Sequence, residues 1–192
     1  MPPKPKYTRE QIVAAALEVV SQRSMDALTA KSLGHALNTS TSPIFTVFSS
    51  MQEVQAAVRA AAMERFEAYA RKTCPNIPPF KQIGMQMILF AKEEPHLYHL
   101  IFMSRNDNAH SFDAVYARLG PVADECLNAL REAHGLSAED AKTLFEHTWI
   151  HTFGIGALCA TGMCAFSQDE ISQLLTQDFT AMMALLKGQK GG

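Results

Sequence analysis

Residues 29–48 read TAKSLGHALNTSTSPIFTVF and contain two short helix patterns in succession. A short apolar helix pattern is followed by a polar break at Asn38-Thr39. A second helix start, rich in small hydroxyl side chains, comes directly after the break. Two short helices joined by a tight turn are typical of a helix-turn-helix, in which the second helix enters the major groove of DNA. We therefore expect residues 29–48 to contact DNA.

Local signals place the ends of these helices. Thr29 is expected to cap the first and Ser40 the second, while Asn38 tolerates the left-handed conformation that a helix C-terminus needs. Pro43 falls in a first helical turn, where its missing N–H is harmless. Gly34 costs about 1 kcal/mol in a helix relative to alanine, so we expect it to admit a closely crossing neighbouring helix.

Short polar side chains at the start of the second helix suit contacts with base edges or phosphates, and a lysine nearby suits a phosphate. The predicted DNA-binding residues are Lys31, Thr39, Ser40, Thr41, Ser42, Pro43, Phe45 and Thr46.

Composition limits the class of protein. The 192 residues carry a net charge of −2. Residues 1–72 hold nine Lys/Arg against six Asp/Glu, and the remainder eight against thirteen, so only the N-terminal third is basic. None of the four cysteines forms a CxxC pair, and we expect reduced thiols. There is neither a signal-peptide pattern nor an apolar run long enough to cross a bilayer, so we expect a cytoplasmic protein without a membrane partner.

Periodicity and capping signals predict an all-α chain of about nine helices. The helix patterns begin at capping boxes such as Thr8-x-x-Gln11 and Ser50-x-x-Glu53, and strand alternation is absent. A proline-rich break at residues 73–79 is expected to separate two domains.

Residues 8–66 resemble the N-terminal domain of the TetR (tetracycline-repressor) family of bacterial transcriptional regulators. The resemblance is carried above all by STSPIFTVF at residues 40–48, followed by SMQEV at 50–54. Phe45 stands where the family usually has a tyrosine, Val47 where it has His or Tyr, and the lysine usual in the next helix is missing. Each lost phosphate contact lowers the salt slope of DNA affinity by about 0.9.

The resemblance implies an N-terminal three-helix helix-turn-helix domain and a C-terminal helical bundle for ligand binding and dimerisation. The expected divisions are a flexible basic arm at 1–7, a DNA-binding domain at 8–50, a connecting helix at 51–72, a ligand-binding and dimerisation domain at 73–187, and a tail at 188–192.

The C-terminal part is rich in Met and aromatic residues. An ordinary helical core has the same composition, but with the resemblance it favours an apolar ligand cavity between helices. The predicted pocket residues are Met85, Met87, Phe90, Phe102, Met103, Phe112, Tyr116, Trp149 and Phe153.

In the family, the last two helices pair with their copies in a second chain as a four-helix interface. The dimer-interface residues that this implies are Ile155, Leu158, Met163, Phe179, Met182, Met183 and Leu186.

Metal and catalytic signals are weak. His147 and His151 are four residues apart on one predicted helix, but no third ligand is evident, and packing is the favoured role. Neither GxSxG nor a phosphate-binding glycine loop occurs. We expect no catalysis, no cofactor and no metal.

These features predict a homodimeric repressor that a small apolar effector releases from a palindromic, double-stranded DNA operator. The alternative is a small-molecule binding protein or enzyme on the same fold whose DNA binding is weak or lost. The sequence leaves activation, rather than repression, open.

Overall fold

The structure, a computed structural model, describes residues 6–73, 75–105 and 111–189. These residues form ten α-helices and no strand, which confirms the all-α prediction. Most of the predicted arm and the end of the predicted tail lie outside the described residues. The helices are α1 (Arg9–Arg23), α2 (Ala30–Ala36), α3 (Ser42–Phe45), α4 (Met51–Ala70), α5 (Pro79–Glu93), α6 (Pro95–Tyr98), α7 (Asp113–Leu119), α8 (Pro121–His134), α9 (Ala138–Ala160) and α10 (Gln168–Gln189).

The chain divides into two compact units. The first contains the described residues up to Phe66 together with Glu94–Ser104, and the second contains Glu67–Glu93 and the described residues from Arg105 onward. The functional division into a DNA-binding part and a ligand-binding part stays a prediction, because compactness does not show what a unit binds.

In the first unit, α1 packs against α2 and α6. Its helix begins at the predicted capping box, in which Thr8 and Gln11 each accept the other's backbone N–H. Ile12, Ala16 and Val20 are fully buried on one face, as their helical spacing requires. This face gives α2 and α3 a rigid base.

A buried carboxylate joins three helices of the first unit. Glu94, at the start of α6, is only 5% exposed. Its carboxylate accepts a hydrogen bond of 2.6 Å from the Ser21 hydroxyl of α1 and forms an ion pair with Arg65 of α4. These contacts hold the start of α6 against α1 and α4.

In the second unit, α5 packs against α8, α9 and α10, and α9 packs along α10. Gly120 has a φ of 50° and separates α7 from α8. Gly135 ends α8 in the left-handed conformation, as its sequence position predicts. Within the described ranges, no helix is both long and apolar enough to span a membrane.

Candidate DNA-binding head and ligand cavity

The turn between α2 and α3 closes with two backbone hydrogen bonds. Asn38 has a φ of 50°, and its N–H donates to the carbonyl of His35 at 3.0 Å. The Thr39 N–H donates to the carbonyl of Gly34 at 2.9 Å. This pair of bonds is a Schellman motif, and it fixes the direction in which the chain leaves α2.

Gly34 has a different role from the one expected. A Cβ atom at this position would lie 3.0 Å from the carbonyl oxygen of Thr39. The close neighbour is therefore the backbone of the following turn, and the prediction of a crossing helix was wrong. The cause is local, because the Schellman turn folds back onto the helix that it ends.

The helix α3 begins one residue later than predicted. Thr41 is its N-cap, and no side chain caps it. The prediction that Ser40 caps this helix was wrong. A cap at Ser40 would make Pro43 the third helical residue, and proline has no N–H to donate to the capping hydroxyl. Pro43 instead lies within the first two positions of the helix.

The predicted DNA-binding residues lie around α3 with different exposures. Ile44 and Phe48 are buried beneath α3. Thr46 is exposed, and its hydroxyl donates to the Pro43 carbonyl at 2.7 Å, which leaves the oxygen able to accept. Of the other predicted residues, the exposed ones are Lys31, Ser40, Ser42 and Phe45, and the half-buried ones are Thr39, Thr41 and Pro43.

Two residues that precede α1 lie beside this turn. Lys6 Nζ donates to the Thr39 hydroxyl at 3.4 Å. The Tyr7 hydroxyl donates to the Leu37 carbonyl at 2.6 Å and so satisfies a free carbonyl at the end of α2. This contact of Tyr7 was not predicted from the sequence, because no local pattern links the residue to a helix end thirty residues later.

An ion pair joins the start of α1 to the first turn of α4. Arg9 Nη1 lies 2.7 Å from Glu53 Oε1, and its guanidinium stacks over the Phe48 ring at 4.3 Å. The Glu53 carboxylate also accepts the Ser49 N–H at 2.8 Å. The backbone hydrogen bond from Ser49, followed by the hydrogen bond from Arg9, lowers the pKa of Glu53 to about 2. The capping box predicted with Ser50 is present only in its hydroxyl half.

A cavity of about 300 Å³ lies in the second unit, between α5, α8, α9 and α10. Phe145 of α9 lines it, with its ring 6.0 Å from that of Trp149 and 6.5 Å from that of Phe80. The lining residues are Pro78, Phe80, Lys81, Ile83, Gly84, Met87, Leu119, Val122, Cys126, His134, Phe145, Thr148, Trp149, Thr152, Leu175, Thr176, Asp178 and Phe179. Most of these side chains are apolar.

Some predicted pocket residues are at or next to the cavity. Met87 and Trp149 line it. The rings of Phe112 and Tyr116 lie 6.4 Å and 5.2 Å from Phe145, so both form a second layer behind the wall. The Tyr116 pKa is raised, first by burial and then by the Glu146 carboxylate, to which its hydroxyl donates.

The other predicted pocket residues lie elsewhere. Phe102 belongs to the first unit, where its ring packs edge-on against Phe66, and Met103 is also in that unit. Phe90 is buried against the Tyr69 ring, and Met85 packs beside a separate buried cluster around Ile88. Phe153 is partly exposed on α9.

Several residues that line the cavity were not predicted from the sequence. Phe80 and Phe145 are in ring contact across the cavity, and Phe179, which was expected at a dimer interface, has its ring 6.0 Å from Phe80. Apolar periodicity identifies the buried face of a helix, but it does not show where packing leaves a gap. Lys81 was also missed, since a lysine near a helix start usually faces solvent.

The residues expected at a dimer interface differ widely in exposure. Three of them are buried within the unit itself: Ile155, Met183 and Leu186. Met163 is 75% exposed, and Leu158 and Met182 are partly exposed. Two further apolar side chains on these helices, Ile150 and Leu185, are 59% and 53% exposed.

Metal-ligating groups are not clustered in the part of the chain that the structure describes, where no three His, Cys, Asp or Glu side chains meet. His147 is exposed, whereas the Nε2 atom of His151 is buried and has no hydrogen-bond partner among the described residues.

Comparison with known proteins assigns the family. The family model "Tetracyclin repressor-like, C-terminal domain" matches residues 80–182, more than half of the chain. No curated protein sequence matches.

Two solved structures share the fold. A protein of Vibrio parahaemolyticus, described as a candidate transcriptional regulator of the TetR family, is 16% identical with a TM-score of 0.63, over 90% of this chain and 97% of its own. A candidate TetR-family transcriptional regulator of Mesorhizobium loti is 15% identical with a TM-score of 0.58, over 93% and 98%. The chain therefore belongs to the TetR family of transcriptional regulators.

Proposed function

We propose that this regulator is a homodimeric, ligand-responsive repressor of transcription that acts in the cytoplasm and has no catalytic role. The helix α3 enters the major groove, and two copies read a palindromic operator whose half-sites lie about one helical turn apart. A small effector in the cavity of the second unit releases the DNA.

The observation that carries this proposal is the exposed polar face of α3. Ser42 and Thr46 point away from the core, while Ile44 is fully buried. Hydroxyl groups in this position reach base edges. Lys6, beside the turn before α3, and Lys31, in the first turn of α2, are both exposed and suit phosphate contacts.

The cavity supports a response to a ligand. It is bounded by four helices of one unit and mostly apolar, as small-molecule sites in helical bundles are. A ligand shifts DNA binding only through different affinities for the DNA-binding and released conformations. Repression and release therefore require that the effector bind the released conformation more tightly.

Exposed apolar side chains support a dimer. Ile150 and Leu185 lie on α9 and α10, and Met163 lies between the two helices. Large exposed apolar side chains are available to pack against a second copy, and a two-fold axis lets one surface serve both subunits. Sedimentation of the pure protein at several concentrations tests this part of the proposal.

DNA binding is tested with the purified protein and labelled fragments of its own promoter region, followed by fluorescence anisotropy. We expect a shift that depends on sequence and on salt. Thr41→Val and Thr46→Val should weaken specific binding by about 1–3 kcal/mol each if the hydroxyls contact bases. Thr180→Val, an exposed threonine of α10, is the matched control and should bind as the parent protein does.

The two lysines are tested by the salt dependence of DNA affinity. Lys6→Met and Lys31→Met should each reduce the slope of log affinity against log salt by about 0.9 while leaving sequence preference unchanged. If a genomic selection recovers no DNA that binds in a sequence-dependent way, the repressor proposal fails. The alternative, a small-molecule binding protein on this fold, would then stand, and it is favoured by Phe45, which exposes a phenyl ring where the family usually has a tyrosine.

A further inference from the structure

The polar groups of the cavity are few, and most are already occupied. The Thr148 hydroxyl donates to the Leu144 carbonyl and the Thr152 hydroxyl donates to the Thr148 carbonyl, each at 2.7 Å. The Cys126 thiol is buried, and this burial raises its pKa to about 12, so it stays neutral at physiological pH. These three groups offer a ligand no positive charge.

Among the lining residues that the structure describes, Lys81 is the only lysine or arginine, and the other basic side chain is the imidazole of His134, which packs against the Phe179 ring. Lys81 Nζ donates to Ser172 Oγ at 2.7 Å and to Thr176 Oγ1 at 2.8 Å, and both partners are neutral. The Thr176 hydroxyl donates its own proton to the Ser172 carbonyl at 2.8 Å, so its oxygen accepts the hydrogen bond from Lys81 Nζ. An ammonium group has three donors, and here one remains for a ligand.

No carboxylate in the described part of the chain lies within ion-pair distance of Lys81 Nζ. The cavity nevertheless contains one carboxylate, Asp178. On a helix with 100° between successive residues, Asp178 lies about 120° from Ser172 and about 160° from Thr176. The ammonium and the carboxylate therefore flank the cavity-facing stripe of α10 from opposite sides.

The Lys81 side chain is half-buried at the cavity wall, and of its two hydroxyl partners Thr176 is exposed. An ammonium group held only by neutral hydroxyls attracts an anion, because a carboxylate makes the stronger, charge-assisted hydrogen bond. The remaining walls are apolar, and three of their side chains are phenylalanines: the Phe80 ring contacts the rings of Phe145 and Phe179. Aromatic rings pack well against such walls at centroid separations of about 4.5–7 Å. The cavity, about 300 Å³, is twice the size of a cavity of about 150 Å³ that holds benzene.

We propose that the ligand is an organic monoacid with an aryl or aryl-alkyl body, whose carboxylate binds Lys81 Nζ while its ring packs against Phe145. This inference deepens the proposed function and rests on it, since it names the chemical class of the effector. Asp178 makes the site unfavourable for a second negative charge. A neutral apolar compound of the same shape fills the same space but leaves Lys81 without a counter-ion.

The test compares phenylbutyrate with its amide, phenylbutyramide, which has nearly the same shape and no charge. Trp149 lines the cavity and is the only tryptophan of the chain, so its fluorescence reports binding directly. Calorimetry provides a second measurement that does not depend on the indole. DNA is absent from both titrations.

We expect the acid to bind at least about tenfold more tightly than the amide, because hydrogen bonds to charged groups are the stronger ones. Lys81→Met should remove this preference and leave amide binding unchanged, which also shows that the variant is folded. Asp178→Asn should strengthen acid binding. Lys187→Met, at an exposed lysine that does not line the cavity, is the matched control and should keep the preference.

Equal affinities of the parent protein for acid and amide overturn the inference, and so does the absence of binding by either compound up to its solubility limit. A preference for the acid that survives Lys81→Met also overturns it. These outcomes are separable from the proposed function. Binding of acid through Lys81 without any specific DNA would refute the repressor and leave the ligand class intact, whereas specific DNA binding with a neutral ligand would do the reverse.

Discussion

Removing either partner of the Arg65–Glu94 ion pair should destabilise the protein, but by unequal amounts. The Glu94 side chain is 7% exposed, whereas that of Arg65 is 36% exposed. Arg65→Met therefore leaves a carboxylate buried with only the Ser21 hydroxyl to satisfy it. Glu94→Gln leaves a guanidinium that water already reaches, and the amide oxygen can still accept from Ser21.

The magnitudes follow from these exposures. Stranding a buried charge by removing its partner costs about 3–5 kcal/mol. A pair with one partner open to solvent is worth less, and losing one charge-assisted hydrogen bond costs about 1–2 kcal/mol. The two variants should thus differ by about 2 kcal/mol, which for a chain of this length is about 4–8 °C in melting temperature.

Urea and thermal unfolding, followed by far-ultraviolet circular dichroism, measure the effect. Tryptophan fluorescence does not suit this purpose, because Trp149 lies in the other unit. The double variant completes a thermodynamic cycle, and it should be more stable than Arg65→Met alone, since it removes the stranded carboxylate. Arg59→Met, an exposed arginine on the same helix, is the control and should change stability by less than about 0.5 kcal/mol.

Equal losses in the two single variants, or a larger loss for Glu94→Gln, would refute this reasoning. Either result would mean that Glu94 is solvated in the folded protein and that the burial of its carboxylate does not determine the cost.

Three further predictions concern Glu53, Gly34 and the cavity residue Cys126. Because the pKa of Glu53 is lowered to about 2 in the folded protein, its ionised carboxylate stabilises the fold above pH 4.5, and this stabilisation is lost as pH falls towards 2. Glu53→Gln should therefore flatten the dependence of melting temperature on acid pH, and an unchanged profile would contradict this. Gly34→Ala gains about 1 kcal/mol of helix propensity but meets the Thr39 carbonyl at a cost of about 1–3 kcal/mol, so the melting temperature should not rise. At mildly alkaline pH, iodoacetamide should alkylate Cys126 far more slowly in the native than in the urea-unfolded protein, as peptide mass spectrometry would show; equal rates would count against the buried, protonated thiol.

The ends of several helices could be predicted from the sequence, because capping and turn residues act locally. The capping pair Thr8 and Gln11 and the left-handed Asn38 each act within a few residues, and both appear in the structure as expected. The two local errors, at Gly34 and Ser40, have different origins. At Gly34 the backbone of the following turn returns onto the helix, and single-residue preferences do not encode that return. At Ser40 the missing N–H of Pro43 moves the start of α3 by one residue.

The cavity was harder to predict, because its walls come from positions far apart in sequence. Phe80 and Phe179 are about a hundred residues apart and touch only in the folded unit. Trp149 and Met87 were found because large apolar residues on a buried face are frequent neighbours of any gap. Lys81 could have been found only by knowing that α10 presents Ser172 and Thr176 to its ammonium group.

The first unit is not a continuous stretch of chain, and this affects how the protein can be cut. Leu97 and Tyr98, both fully buried, reach that unit only after the chain has passed through α5. A fragment that stops after α4 would lack them, and the Phe66 ring would lose its edge-on neighbour Phe102. Chimaeras that transplant the first unit onto another regulator should therefore carry residues 94–104 with it, or replace them with a segment that fills the same space.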